Sequence, residues 1–131
     1  KIEAMGSDEK WGFFTRMISS CIRCYACRNA CPLCYCTTCF VDEAQPQWVG
    51  KSTDPTDTMT FHILRAFHCA GRCTDCGACE RACPMGINVR QFTKKLNKDA
   101  LELFSWEAGM KEDQRPPLDV YKVDDYNDFI R

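Results

Sequence analysis

The chain has 131 residues, a formal net charge of −1 at neutral pH and 12 cysteines. A charge this close to zero predicts neither a nucleic-acid partner nor a membrane surface, and the apolar runs are far shorter than the roughly 20 residues of a transmembrane helix. Because the cysteines lie in tight clusters, they indicate thiolates that converge on metal rather than a disulfide scaffold, which favours a reducing compartment, the cytoplasm. The chain begins at Lys1 and shows no secretory signal, so we expect a piece of a longer or processed protein.

The first half of the chain divides into three predicted segments. Residues 1–20 are a polar lead followed by an aromatic patch at Trp11, Phe13 and Phe14, which we interpret as an N-terminal docking segment. A first cysteine block follows, and residues 40–58, rich in Pro, Gly, Ser, Thr and Asp, predict a loop insert. Next, Asp57–His68 predicts a helix whose buried face carries Met59, Ile63 and Phe67 at steps of four, with Asp57 or Thr58 as its cap.

The second half repeats the order of cysteine block and helix. A helix is predicted over Asn88–Ala108, capped by Asn88 and stopped by Gly109. Its apolar face is Val89, Phe92, Leu96, Ala100 and Leu103. Residues 109–131 form a C-terminal extension that mixes acidic and aromatic side chains. Since alternating strand patterns are scarce, we expect a mainly α protein with its metal-binding domain at 21–108.

The two cysteine blocks carry the same motif. The run Cys-x2-Cys-x2-Cys-x3-Cys-Pro starts at Cys21 and returns at Cys73, 52 residues later. Three cysteines at this spacing grip three irons of a [4Fe–4S] cube, and the fourth ligates the other cube in two-cluster proteins. The predicted ligands of cluster one are therefore Cys21, Cys24, Cys27 and Cys83, and those of cluster two are Cys73, Cys76, Cys79 and Cys31.

The doubled motif resembles that of two-cluster ferredoxins. A long helical spacer, and the segment from Cys76 to Ile87 leading into a helix, look like the α-helical ferredoxins found in the iron–sulfur subunits of succinate dehydrogenase and fumarate reductase and in the C subunit of heterodisulfide reductase. The resemblance implies an electron-relay subunit of a multisubunit oxidoreductase of anaerobic metabolism, beside a flavin-containing partner. The alternative fold is a compact βαββαβ bacterial ferredoxin.

Four cysteines lie outside the doubled motif: Cys34, Cys36, Cys39 and Cys69. They predict a third site for zinc or a further iron–sulfur cluster, unless they are buried free thiols. His62 and His68 could be ligands, and His68 adjoins Cys69 as in a Cys/His zinc site, but the pattern favours ordinary helix-face histidines. Four arginines lie within the blocks and could either stabilise reduced clusters or be surface charges: Arg23, Arg28, Arg72 and Arg81.

Other functions remain as alternatives. If the chain is a free soluble ferredoxin, we expect a stable monomer with an acidic surface. If it is a zinc-dependent structural module, we expect a colourless protein. A catalytic enzyme is disfavoured, because every cubane iron is fully ligated in this assignment and no nucleotide or hydrolase motif is present. We therefore expect no catalysis by this chain alone.

Overall fold

A computed structural model describes residues 2–124, and helices are its only regular elements over that range. The α-helices are α1 (Ser7–Ile18), α2 (Ala26–Asn29), α3 (Pro55–Cys69), α4 (Ala78–Arg81) and α5 (Arg90–Phe104). Short 3-10 turns lie at Ile2–Ala4 and Pro117–Asp119. No strand occurs between residues 2 and 124, so the mainly α prediction is confirmed and the compact βαββαβ alternative is not favoured.

Local signals explain where α1 and α3 begin. In α1 the Glu9 carboxylate accepts a hydrogen bond from the Gly6 N–H at 2.9 Å, which occupies a donor that the first turn leaves unpaired. This helix was missed within the segment interpreted as a polar lead. In α3 the Asp54 side chain accepts from the Thr56 N–H at 2.8 Å and Pro55 opens the first turn. The helix thus starts before the predicted cap, and residues 55–58 of the expected loop insert are helical.

The long helix α5 differs from its prediction at both ends. It begins after Val89 rather than at an Asn88 cap, because Val89 is buried and its N–H bonds to the Ile87 carbonyl at 2.9 Å. It ends at Phe104, and the capping residue Ser105 takes a left-handed φ of 52°. The chain then turns back so that the buried Trp106 Nε1–H donates to the Gly71 carbonyl at 2.6 Å.

The core lies where these helices meet. Helix α3 packs against both α1 and α5, and the two short helices α2 and α4 pack against each other. Two loop residues, Val41 and Val49, are almost fully buried, so the segment between α2 and α3 contributes to the core. The central cluster of buried residues comprises Phe14, Ile18, Cys27, Val41, Val49, Phe61, Ile87 and Val89.

The buried face of α3 is not the predicted one. Met59 packs against the core as predicted, but Ile63 and Phe67 are exposed. The buried residues of the helix are Thr58, Phe61, His62, Arg65, Ala66 and Cys69. The helix therefore turns two titratable side chains and a cysteine inward, towards the two cysteine blocks.

Candidate metal centre

The two cysteine blocks share one backbone conformation. In the first block Arg23 and Tyr25 have positive φ angles of 53° and 59°, and 52 residues later Asp75 and Gly77 have 59° and 73°. Left-handed residues of this kind are uncommon outside glycine. Their recurrence at matching positions shows that the sequence repeat is also a structural repeat.

Each turn also aims a backbone donor at its first sulfur. The Arg23 N–H lies 3.4 Å from Cys21 Sγ, and the Asp75 N–H lies 3.4 Å from Cys73 Sγ. Donors directed at a ligating sulfur stabilise negative charge there and tune the bound metal. The left-handed residues thus have a physical use, which is to turn amide groups towards the thiolates.

The fourth cysteine of the second motif lies near the first turn. Burial raises the pKa of the Cys21 thiol, and the charges of Cys24 and Cys83 add to that rise. Burial likewise raises the pKa of Cys27 to about 11. The charges of Cys21, Cys79 and Cys83 act in the same direction. Cys83 is therefore an electrostatic neighbour of two cysteines that precede it by more than 50 residues.

The fourth cysteine of the first motif lies near the second turn. One cavity of about 40 Å³ is lined by Cys31 together with Cys73, Cys76 and Cys79, and Cys69 borders it as well. The charge of Cys31 also contributes to a raised pKa at Cys79, where burial is the main cause. These neighbours are the four thiolates assigned to cluster two from the sequence, and the assignment itself stays a prediction.

The four cysteines outside the motif surround another cavity. It has a volume of about 490 Å³, and its lining includes Cys34, Cys36, Cys39 and Cys69. Among the described residues, one group of three cysteines has Sγ atoms within 4.8 Å of one another: Cys31, Cys34 and Cys69. Burial raises the pKa of Cys69 to about 12, so its thiol keeps its proton unless a metal replaces it.

Arg65 is a buried cation between these cysteine groups, and it is a residue that the sequence reasoning missed. It is 4% exposed, its Nη2 donates to the Cys27 carbonyl at 2.9 Å, and its Nε has no hydrogen-bond partner among the described residues. Burial disfavours its charge, but the thiolates of Cys27, Cys69, Cys34 and Cys79 raise its pKa. The sequence did contain a signal for its burial. Arg65 lies four residues after Phe61 and four before Cys69, so the three residues share one helix face.

His62 is a buried sulfur neighbour rather than the ordinary helix-face residue that the sequence favoured. Its Nε2 lies 3.3 Å from Cys21 Sγ. Burial, together with the charges of Arg65 and Arg23, lowers its pKa to about 4. The imidazole is therefore neutral at physiological pH and can donate one N–H to the sulfur. His68 instead packs edge-on against Phe40, with ring centroids 4.9 Å apart.

The four arginines of the cysteine blocks have different environments. Arg23 is buried and donates to the Ser52 carbonyl at 2.6 Å and to the Tyr25 hydroxyl at 2.8 Å. Arg28 pairs with Asp42 at 2.7 Å. Arg72 lies 3.3 Å from the Tyr35 hydroxyl, and Arg81 donates to the Cys76 carbonyl at 3.0 Å. Of the four, Arg23 is the buried one, and it ties the loop before α3 to the first cysteine turn.

Comparison with known proteins identifies the family. Residues 17–87 match the model of the 4Fe–4S dicluster domain. The chain belongs to this dicluster family. The match covers both cysteine motifs and the helix between them, so the doubled motif and the structural repeat lie within the region that the family model describes. The prediction of an α-helical dicluster protein is confirmed.

Individual relatives belong to oxidoreductases. The beta subunit of the F420-dependent formate dehydrogenase of Methanocaldococcus jannaschii is 32% identical over 88% of this chain, and the beta subunit of F420-dependent formate dehydrogenase 1 of Methanococcus maripaludis is 33% identical over 83%. The B subunit of the fumarate reductase (CoM/CoB) of Methanothermobacter marburgensis is 28% identical over 57%. The matches span 29%, 26% and 16% of these three proteins, so this chain covers less than a third of each.

These findings establish the general role. The dicluster protein is an iron–sulfur electron-transfer chain of the kind found in oxidoreductases. Cysteine thiolates are the ligands that iron–sulfur clusters require. The two repeated turns provide such cysteines, and in each turn a backbone amide points at a sulfur atom. None of the helices within residues 2–124 combines the length and apolarity that crossing a bilayer would require.

Proposed function

We propose that this dicluster protein relays single electrons through two [4Fe–4S] clusters with exchanged fourth ligands. Cluster one is bound by Cys21, Cys24, Cys27 and Cys83, and cluster two by Cys73, Cys76, Cys79 and Cys31. The observation that carries the proposal is reciprocal: Cys83 is an electrostatic neighbour of Cys21 and Cys27, and Cys31 shares a cavity with Cys73, Cys76 and Cys79.

The surrounding residues suit one-electron chemistry. Each bound cube supplies a site that gains and loses one electron. The Arg65 guanidinium lies near cysteines of both motifs and offsets the negative charge of their thiolates. His62 offers an N–H to Cys21 Sγ, and the amides of the two left-handed turns do the same for Cys21 and Cys73. These donors stabilise the more negative, reduced state.

The proposed setting is a multisubunit oxidoreductase in the cytoplasm. The relatives are named as subunits of formate dehydrogenases and of a fumarate reductase, which supports a role for this chain as a relay within such a complex. In this proposal the chain lies between a flavin-containing partner and a second redox centre. All eight motif thiolates are committed to clusters, so the chain itself performs no catalysis in this proposal. The remaining four cysteines supply a third metal site.

Paired cysteine variants test the exchange of ligands. Cys24→Ser and Cys76→Ser each remove an exposed thiol from one turn and define the spectrum of a protein damaged in one cluster. We expect the EPR spectrum of reduced Cys83→Ser to match that of Cys24→Ser, and the spectrum of Cys31→Ser to match that of Cys76→Ser. The opposite pairing would refute exchanged ligation. Wild-type protein purified without oxygen should contain about eight irons per chain.

The partner is tested on the full-length natural protein. Affinity purification without oxygen should recover it with at least one other subunit or domain that contains flavin, detected by its fluorescence after acid release. A flavin-free monomer that retains about eight irons would contradict the proposed setting and favour the free ferredoxin.

A further inference from the structure

The third cysteine group has a geometry unlike that of the two cluster turns. No residue in the range 34–39 has a positive φ angle, whereas each cluster turn contains two such residues. The segment is held differently at its end, where the Asp42 N–H bonds to the Cys39 carbonyl at 2.8 Å. The loop is therefore not a third copy of the cubane-binding turn.

The sulfur spacing favours a single ion. Cys34 Sγ and Cys69 Sγ lie within 4.8 Å of each other and of Cys31 Sγ, and Cys31 is the member of this group that the proposed function assigns to cluster two. Four thiolates at about 2.3 Å from a tetrahedral zinc ion are about 3.8 Å apart, so a small adjustment of side chains brings these two sulfurs to that distance. A cube instead binds each thiolate to a different iron and holds the sulfurs farther apart.

The same cavity contains the two further thiols that a closed site requires. Cys36, which is exposed, and Cys39, which is half-buried, both line it. Four cysteines without an open position are the usual ligands of a structural zinc ion. Zinc with four thiolates carries two negative charges, and three guanidinium groups line the cavity: Arg28, Arg65 and Arg72.

Arg65 gives an independent sign that an anionic centre belongs here. It is 4% exposed, it has no carboxylate partner among the described residues, and its Nε is without a hydrogen bond. A buried cation is costly unless negative charge lies beside it. Since it lines both this cavity and the one containing Cys31, Cys73 and Cys76, it faces the third site as well as the proposed second cluster.

We infer that Cys34, Cys36, Cys39 and Cys69 bind one tetrahedral zinc ion that ties the loop after α2 to the last residue of α3. The inference rests on the proposed function in one respect, which is that Cys31 is committed to cluster two. Zinc has no redox chemistry, so this site takes no part in electron transfer. Its effect is to fix the loop, and with it Cys31, beside the second cysteine turn.

Metal analysis of anaerobically purified protein, grown with zinc in the medium, tests the inference. We expect about one zinc and about eight irons per chain, with zinc K-edge absorption showing four sulfurs at about 2.3 Å. Cys36→Ser and Cys39→Ser should each lose the zinc and keep the irons. Thr38→Ala, in the same loop and exposed, is the matched control and should keep both metals.

Each other result has a defined meaning. About twelve irons without zinc would overturn the inference in favour of a third cluster, and about eight irons without zinc would overturn it while leaving the two-cluster proposal intact. Zinc retained by both cysteine variants would also overturn the ligand assignment. Zinc together with far fewer than about eight irons would instead count against the two-cluster proposal. Because Cys36 is exposed, its replacement does not disturb the core.

Discussion

Replacing Arg65 by Met should lower the reduction potentials of the clusters. The side chain is buried, and its Nη2 lies 2.9 Å from the Cys27 carbonyl, which puts its charge beside the turn that would bind cluster one. We take a separation on the order of 7 Å between this charge and the cluster for the Coulomb energy. Two unit charges at that distance interact by about 2.4 kcal/mol at an effective dielectric constant of about 20. For a one-electron couple this corresponds to about 100 mV. The potential falls because the reduced cluster carries one more negative charge and loses the cation that stabilises it.

The assay is a redox titration followed by EPR, with iron content measured on each sample. Arg16→Met removes the same charge from an exposed position on α1 and should shift the potential by less than about 20 mV, because solvent and salt screen it. Arg65→Lys keeps the charge and should retain most of the potential. A fully iron-loaded Arg65→Met protein with the wild-type potential would refute the argument that this cation compensates cluster charge.

Two further predictions concern the cysteine turns. The unfolded His62 side chain binds a proton near pH 6.5 and the folded one only near pH 4. The free energy of unfolding should therefore fall as the pH is lowered through that interval. His62→Phe should abolish this share of the pH dependence, and a variant whose free energy of unfolding varies with pH as in the wild type would contradict the prediction. Gly77→Ala should lower the melting temperature more than Gly86→Ala. Both glycines have a positive φ, which costs about 1–2 kcal/mol for alanine, but a Cβ at Gly77 comes within 3.0 Å of Arg81 Nη1, whereas one at Gly86 meets nothing within 4 Å. Equal shifts in thermal unfolding would show that the contact with Arg81 is unimportant.

The cluster region was predictable because its chemistry is local. The doubled cysteine motif identified the iron–sulfur class directly, since each ligand turn is complete within about ten residues. The helical character of α3 and α5 was also predictable, because both carry periodic apolar residues over several turns. The backbone repeat at Tyr25 and Gly77 was hidden, since tyrosine gives no sign of a left-handed conformation.

The inward face of α3 was not predictable from hydropathy. Ile63 and Phe67 follow a helical period and yet are exposed, whereas His62 and Arg65 are buried. Hydropathy assigns a histidine or an arginine to solvent, because burial of either is costly without a partner. Here the partners are sulfur atoms and the Cys27 carbonyl, supplied by segments far away in the sequence. Only the tertiary structure brings them together.

The packing of α2 against α4 has a consequence for biosynthesis. These two short helices are about 50 residues apart in the sequence, so the first cysteine turn leaves the ribosome well before the surface that covers it exists. During that interval its thiols are accessible to oxidants and to stray metal ions, and a domain with such long-range contacts cannot complete its core until the second turn has been synthesised. Delivery of inorganic iron and sulfide should accordingly follow translation of Cys83 rather than accompany that of Cys21.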